Sequence, residues 1–402
     1  MTGKKKKKKH DLKWWILKTH LWLGLASGLV VFLLSVTGCL YVFHHEFTSV
    51  FRQEVNYVPI QGKPLSLENV WENTQQQLGG HQIAWATVPN ESNKSWVFST
   101  YKNNPDGFTW FETIDYYESV YVNPYTGEIL GVYDEEHDFF VVVKMLHWNL
   151  LIPTEIGQPI VGWGTFIFVI LLITGIVLWW PKKKKSSKQK AFGFKWKPTT
   201  GWKRKNYDLH NVLGFYVTSI ALILGLTGMV WSFTWFHDLV YVVGAGTFDP
   251  PKIEQGSSTF AQYERTVSPL DSVFVEMKEI YPNVNRFRIV PPTDSTGTID
   301  VYAQEHEAAY YESHRLQFDR YSGKLLTNRQ HSEKNFGEKM IQANYDVHVG
   351  AILGLPGKIL AFFASLICAS LPLTGLLVWL NKKKKKKKGG KNKVNQGLPF
   401  RK

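Results

Sequence analysis

Cysteine is nearly absent: Cys39 and Cys368 are the two thiols in 402 residues. Both lie inside apolar runs. That excludes a disulfide framework and leaves two small packing residues. The chain also lacks G-x-G-x-x-G and the phosphate-binding loop, so it carries no nucleotide site of its own. No A-x-A-like cleavage site follows the first apolar run. That run is too long for the core of a signal peptide and reads as a retained helix. Acidic residues are the minority charge, 33 against 47 basic, for a formal charge of +14. Such a surplus suits nucleic acid, but its placement argues against that partner. The basic blocks at 4–9, 182–185, 195–205 and 382–388 each border an apolar segment. This is the positive-inside pattern of a membrane protein.

What the chain does have is long apolar runs. Spans are expected at 14–45, 159–181, 207–237 and 357–381, each exceeding the roughly 20 residues that cross a bilayer. No charge interrupts their middles. Trp14, Trp15, Trp179, Trp180 and Trp379 stand at their ends, as an interfacial aromatic belt requires. The basic blocks put the tail 1–13, the loop 182–206 and the tail 382–402 in the cytoplasm. The segments 46–138 and 238–338 are then outside. The first is acidic, with Glu46, Glu54, Glu68, Glu72 and a run at Asp134, Glu135, Glu136 and Asp138. That run has the residues to bind a metal, but beside a membrane it reads first as a solvated face.

Each outer segment reads as a small α+β unit. A helix at 67–78 precedes strands at 85–88, 95–101 and 119–122. A helix at 272–281 precedes strands at 287–290, 298–303 and 314–319. Similar hairpins close the two: V-N-P-Y-T-G-E-I-L at 122–130 and F-D-R-Y-S-G-K-L-L at 318–326. Approach segments follow, 139–158 with His147 and 339–356 with His348. Each is broken by proline and glycine (Pro153, Gly157, Pro159; Gly354, Pro356, Gly357). Each leads into a helix ending T-G-x3-W, at Thr174, Gly175, Trp179 and at Thr374, Gly375, Trp379. The first and third spans share H-x3-G-x12-T-G, as His20, Gly24, Thr37, Gly38 and as His210, Gly214, Thr227, Gly228. The chain therefore reads as a four-helix membrane bundle made of two parallel repeats about an axis along the membrane normal.

Seven of the thirteen histidines lie at span edges. His20 and His210 open their helices on the cytoplasmic side. His147, His348, His44, His45 and His237 lie on the outer side. Buried polar side chains in a membrane are costly and tend to be functional. The spacing by itself implies paired histidines at two membrane depths, a clamp for something that takes two imidazoles. The outer pair carries a geometric difficulty. On a straight helix His147 would lie roughly 40 Å from Gly175, against a hydrocarbon core of about 30 Å. The break must bend the approach segment, or His147 sits above the membrane; His348 has the same difficulty.

The order of helix, V-x-P-x-T-G-type hairpin, L-H and T-G-x3-W helix, twice over, resembles the PepSY-associated transmembrane family across about 12–381. The resemblance implies a multi-pass protein of the bacterial inner membrane with both termini cytoplasmic and PepSY-like outer units. It also implies two b-type haems and electron transfer to ferric iron or a ferric siderophore on the outer face. Two neutral imidazoles on facing helices suit both axial positions of a haem iron. The ligand pairs are then His20 with His210 and His147 with His348, with His44, His45 and His237 as alternative outer ligands. Gly24 and Gly214 either leave room for a flat macrocycle or pack helices closely, and the four Thr-Gly pairs read as packing. Trp110, Phe111, Trp148 and Trp163 read as core or interface aromatics ahead of cofactor or substrate contacts. The electron donor is expected to be cytosolic, a flavoprotein or a reduced-nucleotide system, attracted by the basic residues 203–205. Two other functions compete. One is a non-enzymatic membrane-anchored PepSY module, in peptidase regulation or as an iron-uptake accessory. The other is a permease subunit for iron complexes. The anchor needs no paired histidines, and the permease lacks a charged path through the membrane.

Overall fold

The computed structural model describes residues 11–180, 192–260 and 267–394. The basic blocks at 4–9 and 182–185 and the tail beyond 394 lie outside the described residues. Helix α1 (Leu12–Tyr41) starts at Asp11, whose side chain accepts from the Trp14 amide. It ends earlier than the expected 45. Phe43 interrupts it, and His44 and His45 belong to a separate short helix, His44–Phe51. Helix α2 (Leu67–Gln77) is capped by Ser66. Four antiparallel strands follow: β1 (Ile83–Pro89), β2 (Trp96–Asn103), β3 (Ile114–Val122) and β4 (Ile129–Asp134).

Asp138 then caps α3 (Phe139–Asn149), accepting from the Phe140 and Val141 amides. The bend expected here is present, and it is made by an unexpected device. Leu150 and Leu151 both have φ of 60°, a region most side chains avoid. They turn the chain back into α4 (Thr154–Trp179), which therefore contains Pro159. Gly157 makes the turn fit: a Cβ there would lie 1.8 Å from the Asn149 carbonyl oxygen. Helix α5 (Trp202–Ser232) begins inside the expected cytoplasmic loop and passes through a π turn at Leu209–Leu213. It stops at the extended Phe233, so His237 falls on the next helix, Thr234–Ala245.

The second inter-span segment, 238–338, repeats the first in element order. Ser268 caps α6 (Pro269–Ile280), followed by β5 (Arg286–Val290), β6 (Thr298–Gln304), β7 (Ser313–Asp319) and β8 (Leu325–Arg329). The short α7 (Asn344–His348) ends near Gly350, whose φ of 79° reverses the chain into α8 (Gly354–Val394).

The helices α1, α4 and α5, and Ala351–Lys382, a short 3-10 turn continued by the first part of α8, are long and apolar enough to cross a membrane. They form a closed ring: α1 packs on α4 and α8, and α5 on the same two helices. Trp22, Leu29, Ile173 and Phe363 stay exposed on the outside of this ring. Large side chains left bare in this way are what lipid would cover. Helix α3 tucks against α1 and α4, and α7 against α5.

The two segments expected outside do not form two separate units. Strands β1 and β5 pair antiparallel, Ala86 opposite Ile289 and Thr87 opposite Arg288. The result is one eight-stranded sheet in the order β4-β3-β2-β1-β5-β6-β7-β8. Two four-stranded units would each leave an apolar edge strand unpaired, which invites association. Joining β1 to β5 removes both edges. Helices α2 and α6 lie together on one face, linked by the Glu68 amide donating to Asp271 at 3.0 Å. Val70, Phe98, Val120, Val273, Met277, Phe287, Ile289 and Leu316 share that single core.

The acidic run is a solvated face only in part, at exposed Asp134. Buried Arg52 donates to Glu135 at 2.5 Å and to Asp138 at 3.2 Å, so two of these carboxylates tie the sheet to α3. A second tie joins α8 to the helix after α1, Lys358 to Glu46 at 2.6 Å.

Candidate functional site

Each of the four Thr-Gly pairs holds one histidine from another helix. His20 Nδ1 lies 2.9 Å from Thr174 Oγ1, and His210 Nδ1 lies 3.0 Å from Thr374 Oγ1. His147 Nδ1 lies 2.9 Å from Thr37 Oγ1, and His348 Nδ1 lies 2.8 Å from Thr227 Oγ1. The expected role of these pairs, helix packing alone, misses this. Each threonine has one hydroxyl proton, and each already donates it to the carbonyl four residues back. Those acceptors are Leu33, Ile170, Ile223 and Ser370, at 2.7, 2.8, 2.7 and 2.9 Å. The imidazole is therefore the donor in all four contacts. That fixes the proton on Nδ1 and leaves Nε2 with a free lone pair, the form in which histidine binds a metal.

The adjacent glycines let the rings approach. A Cβ on Gly375 would lie 3.1 Å from His210 Cε1. The corresponding distances are 3.3 Å for Gly38 with His147, 3.5 Å for Gly175 with His20 and 3.7 Å for Gly228 with His348.

The couples fall at two levels. On α1, His20 and Thr37 are 17 residues apart, roughly 25 Å along the axis. On α5, His210 and Thr227 have the same separation. At the level away from the sheet, His20 and His210 lie close enough for a charge on one to act on the other. His210 sits in the π turn, a local widening that recurs at functional sites. Gly24 and Gly214 there meet nothing closer than a leucine methyl, at 3.8 and 3.7 Å from Leu171 and Leu371.

At the sheet-side level His147 and His348 face each other, with ring centres 6.1 Å apart and planes at 72°. A metal–nitrogen bond is about 2 Å. Adding ~1 Å from nitrogen to ring centre on each side, two imidazoles sharing one metal ion stand about 6 Å apart. The pair opens into a cavity of about 440 Å³ in the middle of the helix ring, within the range of small-molecule sites. Its walls are mostly apolar, with Val161, Phe168, Ala221 and Leu224 among them, and Trp148 and Trp231 beside the histidines.

A family model described as the PepSY-associated TM region matches residues 17–382. The chain belongs to this family. No curated protein matches the sequence. The PepSY-associated chain thus brings His20 towards His210 and His147 to His348. It does not bring the other outer histidines to that pair. His44 stacks on Tyr41 at 4.1 Å and bonds its carbonyl. His45 is on the same short helix, and His237 bonds exposed Asp238. Of the aromatics singled out from sequence, Trp148 reaches the cavity. Trp110 bonds the Glu136 carbonyl, Phe111 stacks on His137, and Trp163 packs with Phe166 and Phe233. Sequence reasoning missed Trp231, Tyr41, Tyr345 and Lys144 on the cavity wall. The threonines carried a usable signal, since all four stand in matched register.

Proposed function

We propose that this PepSY-associated protein binds two b-type haems and passes electrons across the bilayer to ferric iron, as a chelate or a siderophore complex, on its sheet side. The reading rests on one observation: two imidazoles 6.1 Å apart across an apolar cavity, each with its outer nitrogen bonded to a threonine. The residues fit the group. The donor set is neutral nitrogen, the spacing suits a shared metal, and the walls suit a flat apolar ligand. When bound, bis-imidazole haem supplies one-electron transfer. The chain's own work is to hold the two Nε2 lone pairs facing one site, keep the Nδ1 protons in place and exclude water with apolar walls. His20 with His210 repeats the same chemistry at the opposite level.

The orientation belongs to the same proposal. The basic blocks support an inner-membrane protein of bacterial type with both termini and the 182–206 segment in the cytoplasm. The matched His–Thr couples and the mirrored strand order support two parallel repeats. A cytosolic donor, a flavoprotein or a reduced-nucleotide system, would then supply the electrons. A membrane-anchored module without redox activity would need none of the four couples.

A reduced-minus-oxidised difference spectrum of the purified protein tests this. Two haems per chain with sharp paired α/β bands are expected. His20→Ala with His210→Ala should remove one, and His147→Ala with His348→Ala the other. Purified protein without haem, or spectra indifferent to both pairs of changes, would defeat the proposal. Proteoliposomes loaded with reductant and given an external ferric chelate then test the acceptor.

A further inference from the structure

Lys144 and His147 are three residues apart on α3, so they share one face of that helix. Both line the sheet-side cavity. The same spacing on α7 places Tyr345 three residues before His348, also on the cavity wall. Tyr345 has a polar neighbour: its hydroxyl lies beside that of Tyr41, another wall residue. Lys144 differs. Its ammonium has no hydrogen-bond or ion-pair partner among the described residues. The carboxylates it feels, Glu135 and Asp138, act through space and are already held by Arg52.

An unpaired ammonium on a mostly apolar wall is costly unless the occupant brings negative charge. The occupant must then be apolar over most of its surface and anionic at one edge. That edge lies toward the sheet, because α3 runs from the capping Asp138 beside the sheet down to His147. Helix geometry puts Lys144 about one half-turn to one turn nearer the sheet than the histidine.

We infer that Lys144 anchors a carboxylate of the macrocycle held between His147 and His348, fixing its carboxylate edge toward the sheet and its apolar edge toward Phe168, Ala221 and Cys368. This rests on the haem reading above. It assigns a binding residue and a ligand orientation that the histidines alone leave open, since two histidines would not by themselves fix which edge of the ligand faces the sheet.

The test titrates haem-stripped full-length protein with ferric haem and, separately, with haem dimethyl ester, whose carboxylates are capped. Lys144→Met should weaken one of the two haem-binding steps roughly tenfold to a hundredfold, the scale of a hydrogen bond between charged groups. It should leave ester binding at the wild-type level. Lys144→Arg should restore most of the loss. In the loaded protein, Lys144→Met should also lower the midpoint potential of one haem, because a cation near the site favours the reduced form. Equal haem binding by Lys144→Met and wild type would overturn the inference while leaving the histidine pair intact. So would equal losses for haem and ester. A wild-type protein that binds neither ligand would remove the haem reading and this inference together.

Discussion

Thr37 accepts a hydrogen bond from His147, 110 residues later in the chain, while donating its own proton to Leu33. Three more couples repeat the arrangement at His20, His210 and His348. The threonine is thus an orienting group. It turns a histidine with two equivalent-looking nitrogens into one with a single defined lone pair, as the proposed ligand role requires.

Replacing that hydroxyl with a methyl tests the role without opening a cavity. Thr37→Val and Thr227→Val should each weaken metal-group retention at the sheet-side pair by about 10–100-fold, the usual effect of losing an outer partner of a ligating histidine. Thr37→Ser should retain it. Haem remaining per chain after dialysis against apomyoglobin measures the difference. Equal retention by valine and serine variants would show the hydroxyl to be idle.

The four glycines give a graded series. A methyl at Gly375 meets His210 at 3.1 Å and one at Gly38 meets His147 at 3.3 Å, both closer than comfortable contact. Gly175 and Gly228 leave 3.5 and 3.7 Å. Alanine should therefore disturb the haem spectrum most at 375, then 38, and least at 228. Crowding of this kind costs about 1–3 kcal/mol where the ring cannot move. Electron paramagnetic resonance of the oxidised protein reads the tilt of the imidazoles; an order unrelated to these distances would count against the cradle.

Arg52 links sheet to α3 from a buried position, 7% exposed. Arg52→Met strands Glu135 without a counter-charge, a loss of about 3–5 kcal/mol for a buried pair. It also releases Asp138, which caps α3. The melting midpoint in detergent should fall, and the His147 site should lose its ligand before the His20 site. Simultaneous loss at both sites would mean that α3 is held by other contacts.

Lys334 supplies a pH signature on the sheet side. Its ammonium donates to the Ser313 carbonyl at 2.8 Å and to Gln342 at 2.6 Å. Burial pushes it down to about 8, and Arg329 adds repulsion. In the unfolded chain it holds its proton to about 10.4. Between those values the unfolded state binds more protons, so this group adds stability as pH rises; below about pH 8 its contribution is flat. Thermal melts at pH 7.5 and 9.5 should bring wild type closer to, or further above, Lys334→Met at the higher pH. Parallel curves would rule the effect out.

The bundle was legible because its signals are local and coarse. An apolar run announces a span whatever surrounds it, and His20, Gly24, Thr37 and Gly38 recur at His210, Gly214, Thr227 and Gly228 with unchanged spacing. The pairing of His147 with His348 was legible for the same reason, from matched position. The strands at β1 to β3 and β5 to β7 showed in their apolar pattern, and their ends shifted by a few residues.

What the sequence determined, then, is which segments are apolar and which histidines match. Only the tertiary structure decided the partners. Whether β1 meets solvent or β5 depends on an edge that no residue of β1 encodes alone. Whether a threonine merely packs depends on a ring from 110 to 164 residues away. Those are long-range pairings, set by the lowest-energy arrangement of many surfaces together, and a lone span such as α1 carries only one half of each.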